Sequence, residues 1–229
     1  MTWPVSATTA PTRPAWPPAS ARRSTSGSRT ASCCADQSCC RGYQECVTAC
    51  PCKKVMFNNV SGTSEKCIGC YPKIERGEQT QCVTSCIGRI RFAGFISPPG
   101  VTDPRNPIDH LVKVKKVALP LYPQSGTEPN VYYIPPIHAP RAFLKQMFGP
   151  GVDTAIDTYT KTKDDPDLLG LMMLMGATEK IIHRFKVEKE IAYGYDEQDK
   201  ELVSVPLREP TFIRNYFDDK NGAYLHNIT

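Results

Sequence analysis

Residues 40–51 read Cys40-Arg41-Gly42-Tyr43-Gln44-Glu45-Cys46-Val47-Thr48-Ala49-Cys50-Pro51. Cysteines in the pattern C-x2-C-x2-C-x3-C-P commonly hold a [4Fe–4S] cluster, and the fourth of them can bind a different cluster. The stretch has this spacing, with Tyr43 at the position of the second cysteine. Closely spaced thiolates on a loop can converge on one cluster, and a site short of one thiolate tends to hold three irons. The stretch therefore predicts an iron–sulfur site.

A second cysteine group follows the first and partly repeats it. It reads Cys67-Ile68-Gly69-Cys70, then eleven residues, then Cys82-Val83-Thr84-Ser85-Cys86. The segments 46–50 and 82–86 match in four of five positions and lie 36 residues apart. A two-cluster unit needs such a duplication, because each half contributes ligands to both clusters. The longer gap predicts that the loop from Tyr71 to Gln81 lies beside a cluster.

Two alternatives to iron–sulfur ligation remain. Cys67, Cys70, Cys82 and Cys86 alone could form a tetrahedral four-thiolate zinc site. The C-x3-C-P ending, the repeat and Tyr43 favour iron–sulfur clusters over zinc. Disulfides are less favoured, because the eleven cysteines are odd in number, no secretory apolar segment is present, and paired C-x2-C motifs suit a metal better.

Composition narrows the class of protein. The 229 residues are enough for one or two domains, and no run approaches the 18 apolar residues of a membrane span. Of the net charge of +5, residues 1–38 contribute +3, so the remainder is nearly balanced and gives no indication of nucleic-acid binding. No nucleophile–base pair or glycine-rich phosphate loop is found, so we expect no substrate chemistry in this chain.

Residues 1–38 differ from the rest of the chain. They are rich in Ala, Ser, Thr, Arg and Pro, and Val5 is their only branched aliphatic residue, which predicts a disordered tail. A second hypothesis is an out-of-frame translation. In a shifted frame, Ala7, Ala10, Ala15 and Ala19 can each become cysteine, at spacings typical of cluster ligands. Under that hypothesis the encoded frame resumes just before Cys40, and Cys33 and Cys34 are not ligands.

Residues 40–229 resemble the iron–sulfur beta subunits of complex molybdenum oxidoreductases, which include nitrate, selenate, chlorate, perchlorate, dimethyl sulfide and ethylbenzene enzymes. The resemblance is carried by C-R-G-Y-Q-E-C-V-T-A-C-P-C-K-K, S-E-K-C-I-G-C-Y-P-K-I-E and C-V-T-S-C-I-G-R-I-R. It continues through A-L-P-L at 118–121 and Y-Y-I-P-P at 132–136. The ending, residues 206–229, is more similar to the periplasmic branch than to the cytoplasm-facing nitrate reductases.

The resemblance implies four clusters held by four cysteine groups, of which this chain has the third and fourth. It implies that Cys40 and Cys46 serve a [3Fe–4S] cluster, with Tyr43 at the position that withholds the fourth iron, and that Cys50 reaches a neighbouring [4Fe–4S] cluster. The other implied ligands are Cys67, Cys70 and Cys82 for another [4Fe–4S] cluster, and Cys86 for the last. By this pattern the chain completes no cluster, and the missing ligands belong to the first and second groups.

Several residues near the cysteines have two interpretations. Cys39 could replace Cys40, although the register favours Cys40, and we expect Cys52 to be a small buried residue. Four cations follow the two C-x3-C endings and either tune a cluster or form a solvated charged surface: Lys53, Lys54, Arg89 and Arg91.

After residue 97 the pattern predicts an extension. Residues 97–140 are proline-rich and mostly irregular, with a strand predicted at Leu111–Leu119. Its three lysines (113, 115 and 116) either bind an acidic partner or keep an edge strand soluble. Three tyrosines (122, 132 and 133) either anchor a partner or cover the chain's own core.

A helix is predicted to open at Asp165-Pro166-Asp167 and to carry an apolar face. Its members are Leu168, Leu171, Leu174, Met175, Ile181, Ile182 and Phe185. The Met172-Met173-Met175 cluster is predicted to fill a core or an interface, and His183 to be structural. A hairpin is predicted from Ile191–Tyr195 and Glu201–Pro206, and the last twenty residues are predicted to be a docking tail.

Together these patterns predict an α+β fold with a ferredoxin-like dicluster core and an irregular, partly helical C-terminal extension. The predicted divisions are a tail (1–38), a 4Fe-4S domain (39–97) and an extension packing on partners (98–229). The resemblance implies a non-catalytic subunit that relays electrons by hopping between clusters. Its partners would be a molybdopterin-containing alpha subunit and a haem-containing gamma subunit, in a periplasmic or membrane-associated complex or at the cytoplasmic face of the inner membrane. A zinc-binding interaction module and a stand-alone redox enzyme are the alternatives.

Overall fold

The computed structural model describes residues 37–98, 100–126, 129–208 and 222, together with the strand backbones at 3–8, 24–26, 33–35, 215–218 and 223–226. The side chains of the predicted tail, including Cys33 and Cys34, and those of the predicted docking tail lie outside these residues, apart from 37, 38 and 222. The tail, its frame hypothesis and the two domain boundaries stay predictions.

The chain mixes helices and strands, as predicted. Seven short α-helices occur among the described residues: α1 (Glu45–Ala49), α2 (Tyr71–Ile74), α3 (Gln81–Thr84), α4 (Pro107–Asp109), α5 (Arg141–Phe148), α6 (Val152–Thr160) and α7 (Pro166–Leu174). A π-helical turn, His110–Val114, continues α4, and 3-10 turns lie at Gln37–Cys39, Pro123–Ser125 and Thr162–Asp164. No described helix has the length and apolar character needed to cross a membrane.

The described strands form two sheets and three separate hairpins. They are β1 (Trp3–Thr8), β2 (Ser24–Ser26), β3 (Cys33–Ala35), β4 (Val55–Asn58), β5 (Thr63–Lys66), β6 (Phe92–Phe95), β7 (Leu119–Pro120), β8 (Val131–Ile134), β9 (Arg184–Glu188), β10 (Ile191–Tyr195), β11 (Glu201–Pro206), β12 (Asn215–Asp218) and β13 (Ala223–His226). One sheet has the order β6-β1-β8-β7, with β1 parallel to β6 and antiparallel to β8. The other is the antiparallel meander β9-β10-β11, and the predicted hairpin at β10–β11 is confirmed.

The hydrophobic core begins where the cysteine groups end. Both clusters of buried apolar side chains start at or after Phe92, and the larger one joins α7 to the β9–β11 meander. Within the described residues 37–91, Ile74 and Val83 are the only buried hydrophobic side chains. A segment with so little buried apolar surface gains little hydrophobic stabilisation of its own, and small domains of this kind commonly depend on a bound metal.

Helix α7 begins as predicted but ends earlier. The Asp165 carboxylate accepts the N–H of Leu168, which caps the helix. The predicted continuation to Phe185 is wrong, because the backbone turns extended at Met175 and left-handed at Gly176, with φ +68°. Ile182 and Phe185 still join the core, but from the extended segment and β9. Their apolar spacing reflects one shared core rather than one helix.

The strand predicted at Leu111–Leu119 is also wrong, since the first four residues of this segment continue helix α4 and only Leu119 belongs to a strand, β7. The Asn106 side chain accepts the N–H groups of Ile108 and Asp109 and so caps the N-terminus of the helix. Pro107 occupies the first turn, where proline is favoured. The N–H of Lys115 then bonds to the carbonyl of His110, which widens the last turn into a π-helical one.

Two of the lysines in this segment bind within the chain. Lys113 donates to the carbonyls of Ser97 and Val101, both at 2.7 Å, and Lys115 pairs with the Asp165 carboxylate. Neither forms part of a free cationic surface or of an edge strand. Tyr132 and Tyr133 pack against the two core clusters, so they cover the chain's own core, one of the two interpretations of these rings.

Candidate metal centre

The first cysteine group is organised around Ser64 of β5. The Cys40 sulfur accepts the backbone N–H of Ser64 at 3.3 Å, and the Cys46 thiol donates to the Ser64 hydroxyl at 3.2 Å. Ser64 is buried, with 6% of its surface exposed. Because one residue of the β4–β5 hairpin contacts both sulfurs, the hairpin brings together the two thiols that are predicted to share a cluster.

The sequence repeat is also a structural repeat. The first cysteine of each C-x3-C segment lies one residue into a single helical turn, α1 for Cys46 and α3 for Cys82. After the second cysteine the chain turns in the same way in both copies. The N–H of Lys53 bonds to the Cys50 carbonyl at 3.2 Å, and that of Arg89 to the Cys86 carbonyl at 3.0 Å.

Lys53 and Arg89 are both left-handed, with φ of 49° and 47°. Non-glycine residues adopt this conformation infrequently, so its recurrence 36 residues apart supports a true duplication.

The loops that precede these helices are similar as well. Gly42 and Gly69 follow the first cysteine of their groups by two residues and have φ of +74° and +68°. Tyr43 and Cys70 come directly after these glycines, so the tyrosine occupies the position that a cysteine occupies in the second group. The Tyr43 side chain is 74% exposed. A residue at this position can therefore face a ligand outside the chain's own core.

Backbone amides also reach the sulfurs of the other predicted ligands. The N–H of Gly69 lies 3.3 Å from the Cys67 sulfur, and the N–H of Lys54 lies 3.4 Å from that of Cys50. The Cys82 sulfur, like that of Cys46, has a hydroxyl partner: the hydroxyl of Thr80 lies 3.3 Å from it. Hydrogen bonds to cysteine sulfur are one of the means by which proteins tune iron–sulfur clusters.

In the second cysteine group, the loop between Cys70 and Cys82 is held by hydrogen bonds to the segment that follows α7. The N–H of Gln79 bonds to the Glu179 carbonyl at 2.7 Å, and its side-chain amide bonds to that of Lys180 at 3.1 Å. The N–H of Ile181 bonds back to Gly77 at 2.8 Å. The eleven-residue loop is therefore held by the chain's own extension.

The cations near the cysteines act on the backbone. Lys53 donates its ammonium to the Thr48 carbonyl at 2.9 Å, and Arg91 donates to the Cys82 carbonyl at 3.4 Å, so each binds a carbonyl of a cysteine-bearing helix. Lys54 reaches a sulfur through its backbone N–H rather than its charge. All four cations are exposed, and their effect on a cluster stays a prediction.

The cysteine thiols are the kind of ligand that binds iron–sulfur clusters, but those that lie together are too few to complete one. Seven of the described cysteines have free thiols, namely Cys46, Cys50, Cys52, Cys67, Cys70, Cys82 and Cys86, and sulfurs with amide or hydroxyl partners suit cluster ligation. Nowhere in the described part of the chain do three metal-ligating side chains meet.

Cys52 differs from its neighbours, because burial, with a smaller contribution from Cys50, raises the pKa of its thiol. A thiol that ionises less readily is a poorer ligand. Cys52 is half-buried rather than buried as predicted, and its exclusion from the ligands stays a prediction.

Sequence reasoning missed Ser64 and Thr80. Ser64 is 18 residues from Cys46, and its contact depends on the β4–β5 hairpin, which no cysteine spacing reveals. Thr80 lies two residues before Cys82, so a threonine just ahead of the repeat was the available signal.

Part of the chain matches a known family model. Residues 18–95 match the family model described as a 4Fe-4S dicluster domain, a range that includes both cysteine groups and the structural repeat. The zinc alternative is therefore not favoured.

The chain is also similar to curated beta subunits of reductases and dehydrogenases. The chain is 45% identical over 138 residues to the dimethylsulfide dehydrogenase subunit beta of Rhodovulum sulfidophilum, and 47% identical over 140 residues to the selenate reductase subunit beta of Thauera selenatis; each match covers 54% of the chain and 41% of the relative. A nitrate reductase relative, the respiratory nitrate reductase 2 beta chain of Escherichia coli K12, is 29% identical over 196 residues, which cover 66% of the chain and 38% of the relative.

The predicted resemblance to the beta subunits of these reductases and dehydrogenases is confirmed. The matched residues span about two fifths of the length of these curated relatives.

Proposed function

We propose that this chain is an electron-transfer iron–sulfur subunit, or part of one. It would relay electrons between a molybdopterin-containing catalytic subunit and a haem-containing or membrane-anchoring subunit of a respiratory complex. The observation that carries the proposal is the structural repeat, in which two C-x3-C segments share one backbone form and have their first sulfurs hydrogen-bonded. The match to a dicluster domain and the beta-subunit relatives support it.

The cysteines would divide among clusters as follows. Cys40 and Cys46 would serve a [3Fe–4S] cluster beside Tyr43, and Cys50 a [4Fe–4S] cluster. A further [4Fe–4S] cluster would have Cys67, Cys70 and Cys82 as ligands, and Cys86 would bind the last. The clusters would supply one-electron redox chemistry. The remaining ligands would come from polypeptide outside the described residues.

The chain's own residues prepare these thiols for ligation. Amide N–H groups of Ser64, Gly69 and Lys54 point at three sulfurs and would stabilise them as thiolates. The scarcity of buried apolar side chains before residue 92 leaves room for inorganic clusters to act as the core of this part of the chain. The described residues thus supply ligands and hydrogen-bond donors.

The extension after residue 97, irregular and partly helical, is proposed to pack on partner subunits as well as on the cysteine loops. Exposed apolar side chains such as Phe143 of α5, at 54% exposure, support a partner surface. A periplasmic or membrane-associated complex fits the higher identity to the dimethylsulfide dehydrogenase and selenate reductase relatives; the cytoplasmic face of the inner membrane is the alternative.

Loss of iron on removal of single cysteines tests the proposal. The chain, assembled with the polypeptide that supplies the remaining ligands and reconstituted anaerobically with iron and sulfide, is expected to bind iron and acid-labile sulfide in similar amounts. Cys46→Ser and Cys82→Ser should each lower the bound iron at least about tenfold at the affected cluster, because a ligand is lost. Metal and sulfide analysis with electron paramagnetic resonance measures the change.

Cys52→Ser is the matched control, since it removes a thiol two residues from Cys50 without removing a proposed ligand. It should keep its iron. Binding of zinc with no sulfide by the unaltered chain would favour the zinc alternative, and equal losses in all three variants would contradict the ligand assignment.

Tyr43 provides a separate prediction about cluster type. Tyr43→Cys is expected to convert the three-iron cluster into a four-iron one, because it restores the missing thiolate of the C-x2-C-x2-C pattern. The resonance of the oxidised three-iron cluster should disappear, and the iron content should rise by about one atom per chain. Tyr43→Phe should leave both unchanged, and a three-iron signal that persists in Tyr43→Cys contradicts the prediction.

A further inference from the structure

Two buried hydroxyl groups contact two cysteine sulfurs that occupy equivalent positions in the repeat. Ser64 and Thr80 each have 6% of their surface exposed, in a part of the chain where few side chains are buried at all. In β5, Ser64 is the single buried residue of the strand, whereas Met56 and Val60 of the same hairpin are largely exposed. A small polar residue inside and apolar residues outside reverse the usual preference, which points to a role other than packing.

Thr80 has a conventional alternative that it does not use. It occupies the N-cap position of α3, where a threonine hydroxyl normally accepts a backbone N–H of the first turn. Its side chain makes no such bond; the hydroxyl lies 3.3 Å from the Cys82 sulfur instead. Thr80 contacts the sulfur instead of making a capping hydrogen bond that would stabilise the helix by about 1 kcal/mol. We infer that the sulfur determines the rotamer of the Thr80 side chain.

The two contacts converge on one position of the repeat. Ser64 contacts Cys46 and Thr80 contacts Cys82, and these cysteines are each the first of their C-x3-C segment. Neither hydroxyl belongs to the duplicated sequence, and the two reach their sulfurs from different elements, a strand and a helix start. The same contact is thus made twice by unrelated parts of the chain, which chance packing does not explain.

We propose that Ser64 and Thr80 are positioning residues that hydrogen-bond the metal-binding sulfurs of Cys46 and Cys82. In the free chain the Cys46 thiol donates to Ser64. A sulfur bound to metal has lost its proton, so the hydroxyl turns and becomes the donor. It then holds the sulfur in place and stabilises its negative charge. The assignment deepens the proposed function and rests on it only for the identity of the metal group.

A crossed pair of variants tests the assignment with Cd²⁺ alone as the probe. The full chain is titrated with Cd²⁺ under reducing conditions, and protection of each cysteine from alkylation is measured by peptide mass spectrometry. Ser64→Ala is expected to raise the Cd²⁺ concentration for half-protection about tenfold at Cys46 and to leave Cys82 unchanged. Thr80→Val is expected to do the reverse, so each variant contains the other's control.

The repeat offers matched controls for the loss of a hydroxyl. Thr48 and Thr84 lie two residues after Cys46 and Cys82, and their hydroxyls bond to the carbonyls of Gln44 and Gln81 rather than to sulfur. Thr48→Val and Thr84→Val should leave half-protection at both cysteines unchanged. Thr80→Ser, which keeps a hydroxyl, should restore wild-type protection at Cys82.

Each outcome decides the assignment. Equal shifts at Cys46 and Cys82 in both variants, no shift in either, or no Cd²⁺ protection of the unaltered chain would overturn it. Crossed shifts, together with no uptake of iron and sulfide once the polypeptide with the remaining ligands is present, would keep the positioning role and contradict the electron-transfer proposal. Where clusters do form, each variant should also shift the midpoint potential of the affected cluster to lower values, since hydrogen bonds to sulfur raise it.

Discussion

Replacing Asp109 with alanine is expected to lower the free energy of unfolding by about 3–5 kcal/mol, the range for removing one partner of a buried ion pair. The Asp109 side chain is fully buried. Its carboxylate accepts the N–H groups of Ser97 and Asp103, both at 3.0 Å, and lies 3.1 Å from the ammonium of Lys113. The alanine variant leaves the two N–H groups without this acceptor and removes the charge partner of Lys113, which keeps its bonds to the carbonyls of Ser97 and Val101. Urea unfolding followed by circular dichroism under reducing conditions measures the loss.

An exposed aspartate near another helix start controls for the loss of charge alone. Asp167→Ala, in the first turn of α7, should cost less than about 1 kcal/mol, because the side chain is exposed and its interaction with the helix dipole is weak. Equal stability of the Asp109 and Asp167 variants would show that the buried carboxylate is not an anchor of the loop at 97–103.

The same carboxylate gives the chain a pH dependence. Burial alone raises the pKa of Asp109, but the hydrogen bonds from Asp103, Ser97 and Lys113 outweigh it and lower the pKa below the ordinary value. A carboxyl group with a lowered folded pKa contributes its full stabilisation above the unfolded value, about pH 4, and loses it as the pH falls further. Wild-type stability should therefore drop more steeply below about pH 4 than that of Asp109→Asn.

Where a single local signal determines the backbone conformation, the sequence predicts the secondary structure correctly. The β10–β11 hairpin has the predicted bounds, because alternating apolar residues flank a polar turn at 196–200. The start of α7 was readable from an acidic N-cap followed by proline. The same kind of signal, Asn106-Pro107, opens α4, but the alternation of valine and lysine after it led to a strand being predicted. Val114 is exposed, so that alternation does not mark a buried face.

Long-range contacts could not be read in this way. The cysteine spacing predicted that Cys40 and Cys46 lie together, and both do contact one residue. It could not indicate Ser64, because a hydrogen bond to a residue 18 positions away depends on how a hairpin folds back. The binding of Lys113 to the carbonyls of Ser97 and Val101 is of the same kind. A charge in a sequence shows that a partner is needed, but the fold determines which partner it meets.

The contact between Gly176 and Arg89 shows how the extension and the second cysteine group depend on each other. Gly176 is left-handed, with φ +68°. A Cβ added there would lie 2.9 Å from the Cβ and 3.0 Å from the Cγ of Arg89, closer than carbon atoms can pack. Arg89 belongs to the turn that closes on the Cys86 carbonyl. Any side chain at 176 must therefore displace either the extension or this turn.

Gly176→Ala is accordingly expected to lower the free energy of unfolding by about 2–5 kcal/mol. About 1–2 kcal/mol comes from forcing a Cβ into the left-handed region, and about 1–3 kcal/mol from overpacking against Arg89. Gly77→Ala isolates the first contribution, since Gly77 is also left-handed, at φ +72°, but has open space around it. It should cost no more than about 2 kcal/mol by the same reasoning. Urea unfolding of the two variants side by side measures the difference.

A second change should reverse most of the overpacking. The clash involves the Cβ of Arg89, so shortening the side chain to alanine cannot relieve it, whereas Arg89→Gly removes the atom. Glycine also suits the left-handed backbone there, at φ 47°. The double variant Arg89→Gly/Gly176→Ala should recover the overpacking cost, while Arg89→Ala/Gly176→Ala should not. In Gly176→Ala alone, Cys86 should be alkylated faster, because its turn is displaced; equal alkylation and additive stabilities would mean that the extension does not support this cysteine group.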